Sequence, residues 1–369
     1  MSRRTLNLLG VITFFGLSTA YAASPDEAHP TWYFATSGDS RNCGDVVMPA
    51  IAADAIQHDV AFYWQLGDLR KISDVDEDFV AERTLEGRPT NLADYEKHAW
   101  DDFIQNQIKP WGEVPYYLGI GNHEVHPPKN REMFIERFRS YLDRPDLREQ
   151  RLRDDPNAKE PRTYYHWIRD GVDFIYLDNA TGDQFDTRQM QWVEGVLERD
   201  DKNDSIRTIV VGMHKALPES ISRGHSMNES AAGTESGRRV YEMLLKTQND
   251  AHKLVYLLAS HSHYFMDGTF NTPYWKEHGG VLPGWIIGTA GAQRYPLPAE
   301  AHDAKQAKTN VYGYLMAAVN PSGEATGTIK FKFEELHEHS IPPEVVKRFG
   351  TAAVHECFVG NRKIGGPMD

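Results

Sequence analysis

The sequence predicts an α/β domain built on mixed sheets, and three observations carry this reading. Strand-like apolar runs alternate with segments of helical period, two stretches read as antiparallel hairpins, and strand after strand ends in a polar residue able to bind a cation. "TWYFATSGD" (31–39) reads as the first strand and "VVMPAIAADAIQ" (46–57) as the helix after it. "VAFYWQLGD" (60–68) and "VPYYLGIGN" (114–122) follow as strands. Between them lies a charge-rich insertion, 69–113, with helical spacing around "YEKHAWDDFIQNQI". "FIERFRSYL" (134–142) is helical. "TYYHWIRDGVDFIYLDN" (163–179) reads as a hairpin turning at Asp170-Gly171, a dipeptide that tight hairpin turns favour. "RQMQWVEGVLER" (188–199) and "SGRRVYEMLLKTQ" (236–248) are helices, while "IRTIVVGMH" (206–214) and "KLVYLLASHSH" (253–263) are strands. "GYLMAAVNPSGEATGTIKFKFEE" (313–335) forms a second hairpin around Pro321-Ser322-Gly323, and "SRGHSMNESAAGTESG" (222–237) reads as a mobile loop or lid.

The 369 residues are 40% hydrophobic and 25% charged, enough apolar material for a full core. The formal charge of −13 repels phosphate backbones, so wrapping of nucleic acid is not expected. Arg3 and Arg4, an apolar run over 6–19 and Ala20-Tyr21-Ala22 match a signal peptide cleaved after Ala22. The paired arginines fit either general or twin-arginine export. No later stretch approaches the roughly 20 apolar residues of a membrane helix, so an exported protein, periplasmic or secreted, with no membrane span after cleavage is expected. In an oxidising compartment Cys43 and Cys357 permit one disulfide; the alternative is two unrelated thiols. The organisation expected is a signal peptide at 1–22, one domain over 23–335 and a C-terminal tail over 336–369.

The strand ends supply Asp39, Asp68, Asn122, His214, His261 and His263. Open α/β sheets gather their sites at such carboxyl ends. Each motif alone is weak, since Gly-Asp is a common turn and a lone strand-end histidine is commonly structural. In series, Gly38-Asp39, Gly67-Asp68, Gly121-Asn122-His123-Glu124, Met213-His214 and Ser260-His261-Ser262-His263 resemble the calcineurin-like metallophosphoesterase family, which includes purple acid phosphatases. The resemblance spans about 30–335. It implies a four-layer α-β-β-α sandwich of two mixed sheets flanked by helices. It also implies two divalent transition-metal ions (Mn, Fe or Zn) and hydrolysis of phosphate esters by water activated between them. Asp68 would bridge the ions; Asn122, His214 and His261 would complete the second site, and Asp39 and His263 would serve the first. His123 would face the leaving-group oxygen as proton donor or stabiliser of charge. Glu124 would orient His123, or else form a surface salt bridge.

The sequence departs from the family pattern in its first motif. Where a ligand histidine stands two residues after Asp39, this chain has Arg41, which cannot ligate a cation. The tyrosine that purple acid phosphatases carry after the second motif is here Lys71. Arg41 is read as a fork for phosphate oxygens; the alternative is a guanidinium paired elsewhere and a weak first metal. Arg70 is read as pairing with the acidic "SDVDED" segment (73–78), and His126, His225 and His278 as loop histidines without an assigned role. Two functions from different classes follow: a metal-dependent phosphoesterase acting on small-molecule or other phosphate esters, or a catalytically impaired binding protein on the same fold. Monoester against diester, metal identity and oligomeric state are left open by the sequence.

Overall fold

The computed structural model describes residues 29–362, so the expected signal peptide lies outside the described residues. Among the described residues, twelve strands form two mixed sheets. The first sheet holds β1 (Trp32–Ser37), β2 (Val60–Gln65), β3 (Tyr116–Leu118), β11 (Tyr312–Val319) and β12 (Ile329–Leu336), in the order β12-β11-β1-β2-β3. The second holds β4 (Tyr165–Arg169), β5 (Val172–Leu177), β6 (Thr208–Met213), β7 (Leu254–Ala259), β8 (Phe265–Asp267), β9 (Gly284–Ile287) and β10 (Gln306–Lys308), in the order β10-β8-β9-β7-β6-β5-β4. β1, β2 and β3 run parallel, as do β5, β6, β7 and β9; the hairpin strands close the edges antiparallel.

Strand alternation explains how the sheets stack. Phe34 on β1 and Phe62 and Trp64 on β2 point to the same side, where they meet Trp167 and Phe174 of the other sheet. Ring centroids lie 5.3 Å apart for Phe34–Phe174, 5.4 Å for Phe62–Trp167 and 5.1 Å for Trp64–Trp167. Edge-to-face packing of this kind fills the space between the sheets. The opposite faces receive helices: Gly44–Gln57 lies on the first sheet, and Thr187–Asp201 with Ala231–Asp250 on the second. The layers are therefore helix, sheet, sheet, helix.

Both expected hairpins form. Asp170 and Gly171 take φ of 49° and 78°, the pair of positive values that a two-residue turn with the strand twist requires. The expected loop over 222–237 is shorter than the sequence suggested. Ser230 accepts a hydrogen bond from the Gly233 N–H (2.9 Å) and so caps a helix that begins at Ala231. The strands β8, β9 and β10 went unrecognised because each is only three or four residues long. Helices Pro343–Phe349 and Thr351–Val359 occupy the C-terminal segment. There Cys357 forms a disulfide with Cys43, with Cα atoms 5.9 Å apart, just before the helix that follows β1. None of the described helices is long and apolar enough to cross a membrane.

Candidate metal centre

Five parallel strands, three from one sheet and two from the other, deliver the candidate ligands at their carboxyl ends. Asp39 follows β1, Asp68 follows β2, Asn122 and His123 follow β3, His214 follows β6, and His261 and His263 follow β7. Asp39, Asp68 and His261 have φ of 59°, 58° and 65°, values that residues with a Cβ adopt only when their surroundings hold them there. The holding contacts are explicit. The Asp39 N–H donates to Gly67 O, the Ser40 N–H to Asp68 O (both 2.9 Å), and the His261 N–H to Asp39 Oδ2 (2.6 Å). Gly67, at φ +99°, packs its Cα face onto Gly121. A Cβ at Gly121 would in turn fall on the Asp68 carboxylate and lie 2.9 Å from His214 Cε1.

Two groups of polar atoms result. In one, His214 Nε2 lies 3.3 Å from Asp68 Oδ1, 2.9 Å from Asn122 Oδ1 and 3.0 Å from His261 Nδ1. Asp68, His214 and His261 bring ligand atoms within 4.8 Å of one another. His214 Nδ1 faces the Leu66 carbonyl at 3.1 Å, an acceptor only, so the ring proton sits there and Nε2 presents a lone pair to the centre. In the other group, His263 Nδ1 donates to Gln293 O (2.6 Å) and turns Nε2 toward Asp39 Oδ1 at 3.2 Å. Arg41 reaches into this second group. Its Nη2 is 2.9 Å from His263 Nε2 and its Nε is 3.3 Å from Asp68 Oδ2, with the residue only 8% exposed.

The electrostatics follow from burial and these contacts. Burial, reinforced by the Asp68 charge, pushes the Asp39 carboxyl up to about 7 against the pull of His214 and Arg41. For Asp68 burial also favours the neutral acid, yet His214, His123, Arg41 and His261 hold it well below the usual carboxylate range. Burial and the neighbouring His214 drive the His261 imidazole down, and burial with Arg41 pushes His123 down to about 4. These shifts favour a neutral His261 and His123 and an ionised Asp68; a neutral imidazole and an ionised carboxylate are the states that bind cations.

No protein-family model matches the sequence, and no curated protein matches it. Among solved structures, a purple acid phosphatase from yellow lupin (Lupinus luteus) seeds superimposes over 85% of this chain with a TM-score of 0.53 and 15% identity. The matched region is 53% of the lupin chain, about half its length. The structure of PhoD matches over 91% of this chain and 78% of its own, at TM-score 0.49 and 15% identity. The fold is that of the calcineurin-like metallophosphoesterases.

On this metallophosphoesterase fold, the first group of atoms suits a divalent cation. Asp68, Asn122, His214 and His261 offer carboxylate oxygen, amide oxygen and two imidazole nitrogens, a donor set for Mn, Fe or Zn. Asp68 Oδ2 and Asp39 Oδ1 are buried with no hydrogen-bond donor on them, as anionic oxygens awaiting a cation would be. The group around Asp39 and His263 fits less well, because a guanidinium already stands among its acceptors.

His123 lies beside both groups. Its N–H donates to Asp68 Oδ1 (3.0 Å), its Nδ1 meets the Lys71 carbonyl, and its Nε2 is 3.8 Å from Asp68 Oδ2. The expectation for Glu124 is corrected. Glu124 is fully buried and accepts N–H bonds from Asp68 and Leu69 (2.9 Å each) and from Gly121 (2.8 Å), so it ties two ligand loops together rather than touching the His123 ring. A surface salt bridge is equally absent for it.

Other contributors were missed. Asn179, at the end of β5, accepts from the His214 and Lys215 N–H groups at 3.1 and 3.0 Å. Its position in "YLDNA" carried the same strand-end signal as the ligands. His225 packs its ring on His261 and Tyr295 (centroids 5.5 and 5.3 Å), and Tyr295 lies 4.0 Å from His263. His126 and His278 are exposed. A cavity of about 800 Å³ is lined by Arg131, Asp178 and Arg188 among others and by none of the candidate ligands.

Proposed function

We propose that the protein is an exported metal-dependent phosphoesterase. The observation that carries this reading is the convergence of Asp68, Asn122, His214 and His261 around one point, with a lone pair of His214 aimed into it. The likeness of the fold to a purple acid phosphatase supports the reaction class. Hydrolysis adds water across the P–O bond: phosphorus gains the water oxygen, and the ester oxygen departs with a proton. A cation held by these four residues, when bound, supplies Lewis-acid chemistry that lowers the pKa of water and offsets phosphate charge. Asp68 and Asn122 would supply oxygens to that cation, and the Leu66 carbonyl fixes the tautomer of His214 that could hold it.

His123 is the residue assigned to the leaving group. With Nδ1 held by the Lys71 carbonyl, Nε2 is the end that meets an incoming ester. A ring carrying both protons gives the one on Nε2 to the departing oxygen; a singly protonated ring must first gain it, which the negative charge of the ester favours. Export is supported by the Cys43–Cys357 disulfide, a bond that persists in oxidising compartments.

The test is hydrolysis of a chromogenic aryl phosphate and of its diester with Mn²⁺ supplied. Activity should vanish on chelation and in His261→Ala. Activity that survives in protein stripped of all metal would sink the reading. A second reading, a binding protein that no longer turns substrate over, is favoured by one observation, the guanidinium of Arg41 among the acceptors of the group around Asp39 and His263. Metal and phosphate binding without turnover of either ester would decide for it.

A further inference from the structure

We propose that the Arg41 guanidinium is the permanent cation of the site formed by Asp39, Asp68 and His263, so that the chain carries one metal ion rather than two. This rests on the metal-binding part of the proposed function and not on hydrolysis. The two groups of atoms differ in one decisive respect. Around His214 and His261, lone pairs and oxygens face one another with room for a single proton or cation between His214 Nε2 and His261 Nδ1, 3.0 Å apart. Around His263, a cation already stands among the acceptors. His263 Nε2 is a bare acceptor because Nδ1 gives its proton to Gln293 O, and Arg41 Nη2 meets that lone pair at 2.9 Å. Arg41 Nε faces Asp68 Oδ2 at 3.3 Å, on the carboxylate that would otherwise bridge two ions. A second ion would need these same lone pairs, and it would sit in contact with a group that does not release its proton.

Arg41 is also anchored where it stands. The next residue, Asn42, at φ 67°, donates its N–H to Asp76 Oδ1 (2.6 Å) and accepts from the Gln293 N–H (3.1 Å). Cys43 is then bonded to Cys357. The chain on the carboxyl side of Arg41 is therefore held at three points, and swinging the side chain outward would strip a buried acceptor on His263 of its donor and a buried charge on Asp68 of its ion-pair partner. Cationic neutralisation of two buried carboxylates, which a second ion provides in a binuclear centre, is built into the chain.

The experiment is metal counting on the mature protein, stripped with chelator, reloaded with Mn²⁺, desalted and read by elemental analysis and electron paramagnetic resonance. The wild type should hold one Mn per chain with an uncoupled signal. Arg41→His, which exchanges the guanidinium for a ligand, should hold two, with a spin-coupled signal. Asp39→Asn should leave the count at one, while His261→Ala should lower it to none. Two ions per wild-type chain, or a fall from two to one in Asp39→Asn, would overturn the proposal; neither depends on Arg41→His folding. A wild type that binds no Mn overturns this inference and the metal-dependent reading together. One uncoupled Mn in a protein that hydrolyses neither ester upholds this inference and removes the proposed activity.

Discussion

Replacing Glu124 by Gln isolates the device that holds the two ligand loops in register. Oε2 of Glu124 takes the N–H groups of Asp68 and Gly121, and Oε1 takes that of Leu69, all at 2.8–2.9 Å and out of contact with water. A glutamine of the same shape can place its oxygen at only one of these positions. With the oxygen at Oε2, its NH₂ points at the Leu69 N–H, donor against donor, and one buried amide is left unsatisfied. The cost of such a group is about 1–3 kcal/mol. For a chain of this size that corresponds to a fall in Tm of about 1–4 °C. The same loops present Asp68 and Asn122, so metal affinity should weaken about 10–100-fold, the usual effect of removing a partner that orients a ligand. Denaturant unfolding and Mn²⁺ titration read the two effects. Wild-type stability and metal affinity, with a kcat loss confined to esters of high-pKa alcohols, would show that Glu124 acts through His123 and that the reasoning is wrong.

Three further outcomes are expected. Gly121→Ala should abolish metal binding while leaving circular dichroism near native, because its Cβ falls on the Asp68 carboxylate; a variant that binds Mn²⁺ as the wild type does would refute the close approach. Reducing the Cys43–Cys357 bond, which closes a separation of 314 residues, should cost about 2–4 kcal/mol in denaturant unfolding, and unchanged stability under reductant would contradict it. The third concerns His166, whose Nδ1 meets Asp173 at 2.7 Å and whose Nε2 meets Asp154, with Arg199 and Asp200 alongside. Against a burial that favours the neutral ring, these carboxylates hold His166 up to about 10. A raised folded-state pKa stabilises fully below the unfolded value of about 6.5 and is lost as pH climbs through 10. His166→Gln should therefore destabilise more at pH 6 than at pH 10.5, and an equal penalty at both would refute the pairing.

The sequence was most readable where chemistry coincides with the end of an apolar run. Asp39, Asp68, Asn122, His214, His261 and His263 each close a strand, and strand order and pairing then bring the ends to one edge of the stacked sheets. Asp170-Gly171 was readable because two adjacent positive φ values constrain composition locally. Features set by contacts between distant segments were not readable. The side chain of Glu124 could equally have reached its neighbour His123 or the loop after β2, and only the packing of β3 beside β2 brings the Asp68 and Leu69 amides within its reach. The Cys43–Cys357 pairing depends on the C-terminal helices returning to the helix after β1, a contact that no local pattern announces. Arg41 belongs to the same class, because its partner His263 lies 222 residues away.

Arg41 and Arg70 make the point from within one chain. Each stands two residues beyond a strand-end Asp, and by spacing alone they are equivalent. Arg70 is fully buried among three carboxylates, 2.8 Å from Asp45, 3.3 Å from Asp76 and 3.5 Å from Asp78, while the Tyr95 hydroxyl donates to Asp76. Asp76 and Asp78 come from the acidic stretch that follows, and Asp45 from the first turn of the helix after β1. That surplus of negative charge neutralises Arg70 away from the centre, and removing the guanidinium would strand buried carboxylates at a cost of about 3–5 kcal/mol. Arg41 is followed by Asn42, Cys43 and Gly44, and the next acid in sequence, Asp45, is already paired with Arg70. The acids it can reach are those of the centre itself. Two arginines in equivalent positions thus take opposite roles, one binding the loop after β2 to the helix after β1, the other standing as a fixed positive charge among the ligands, and the placement of nearby carboxylates decides between them.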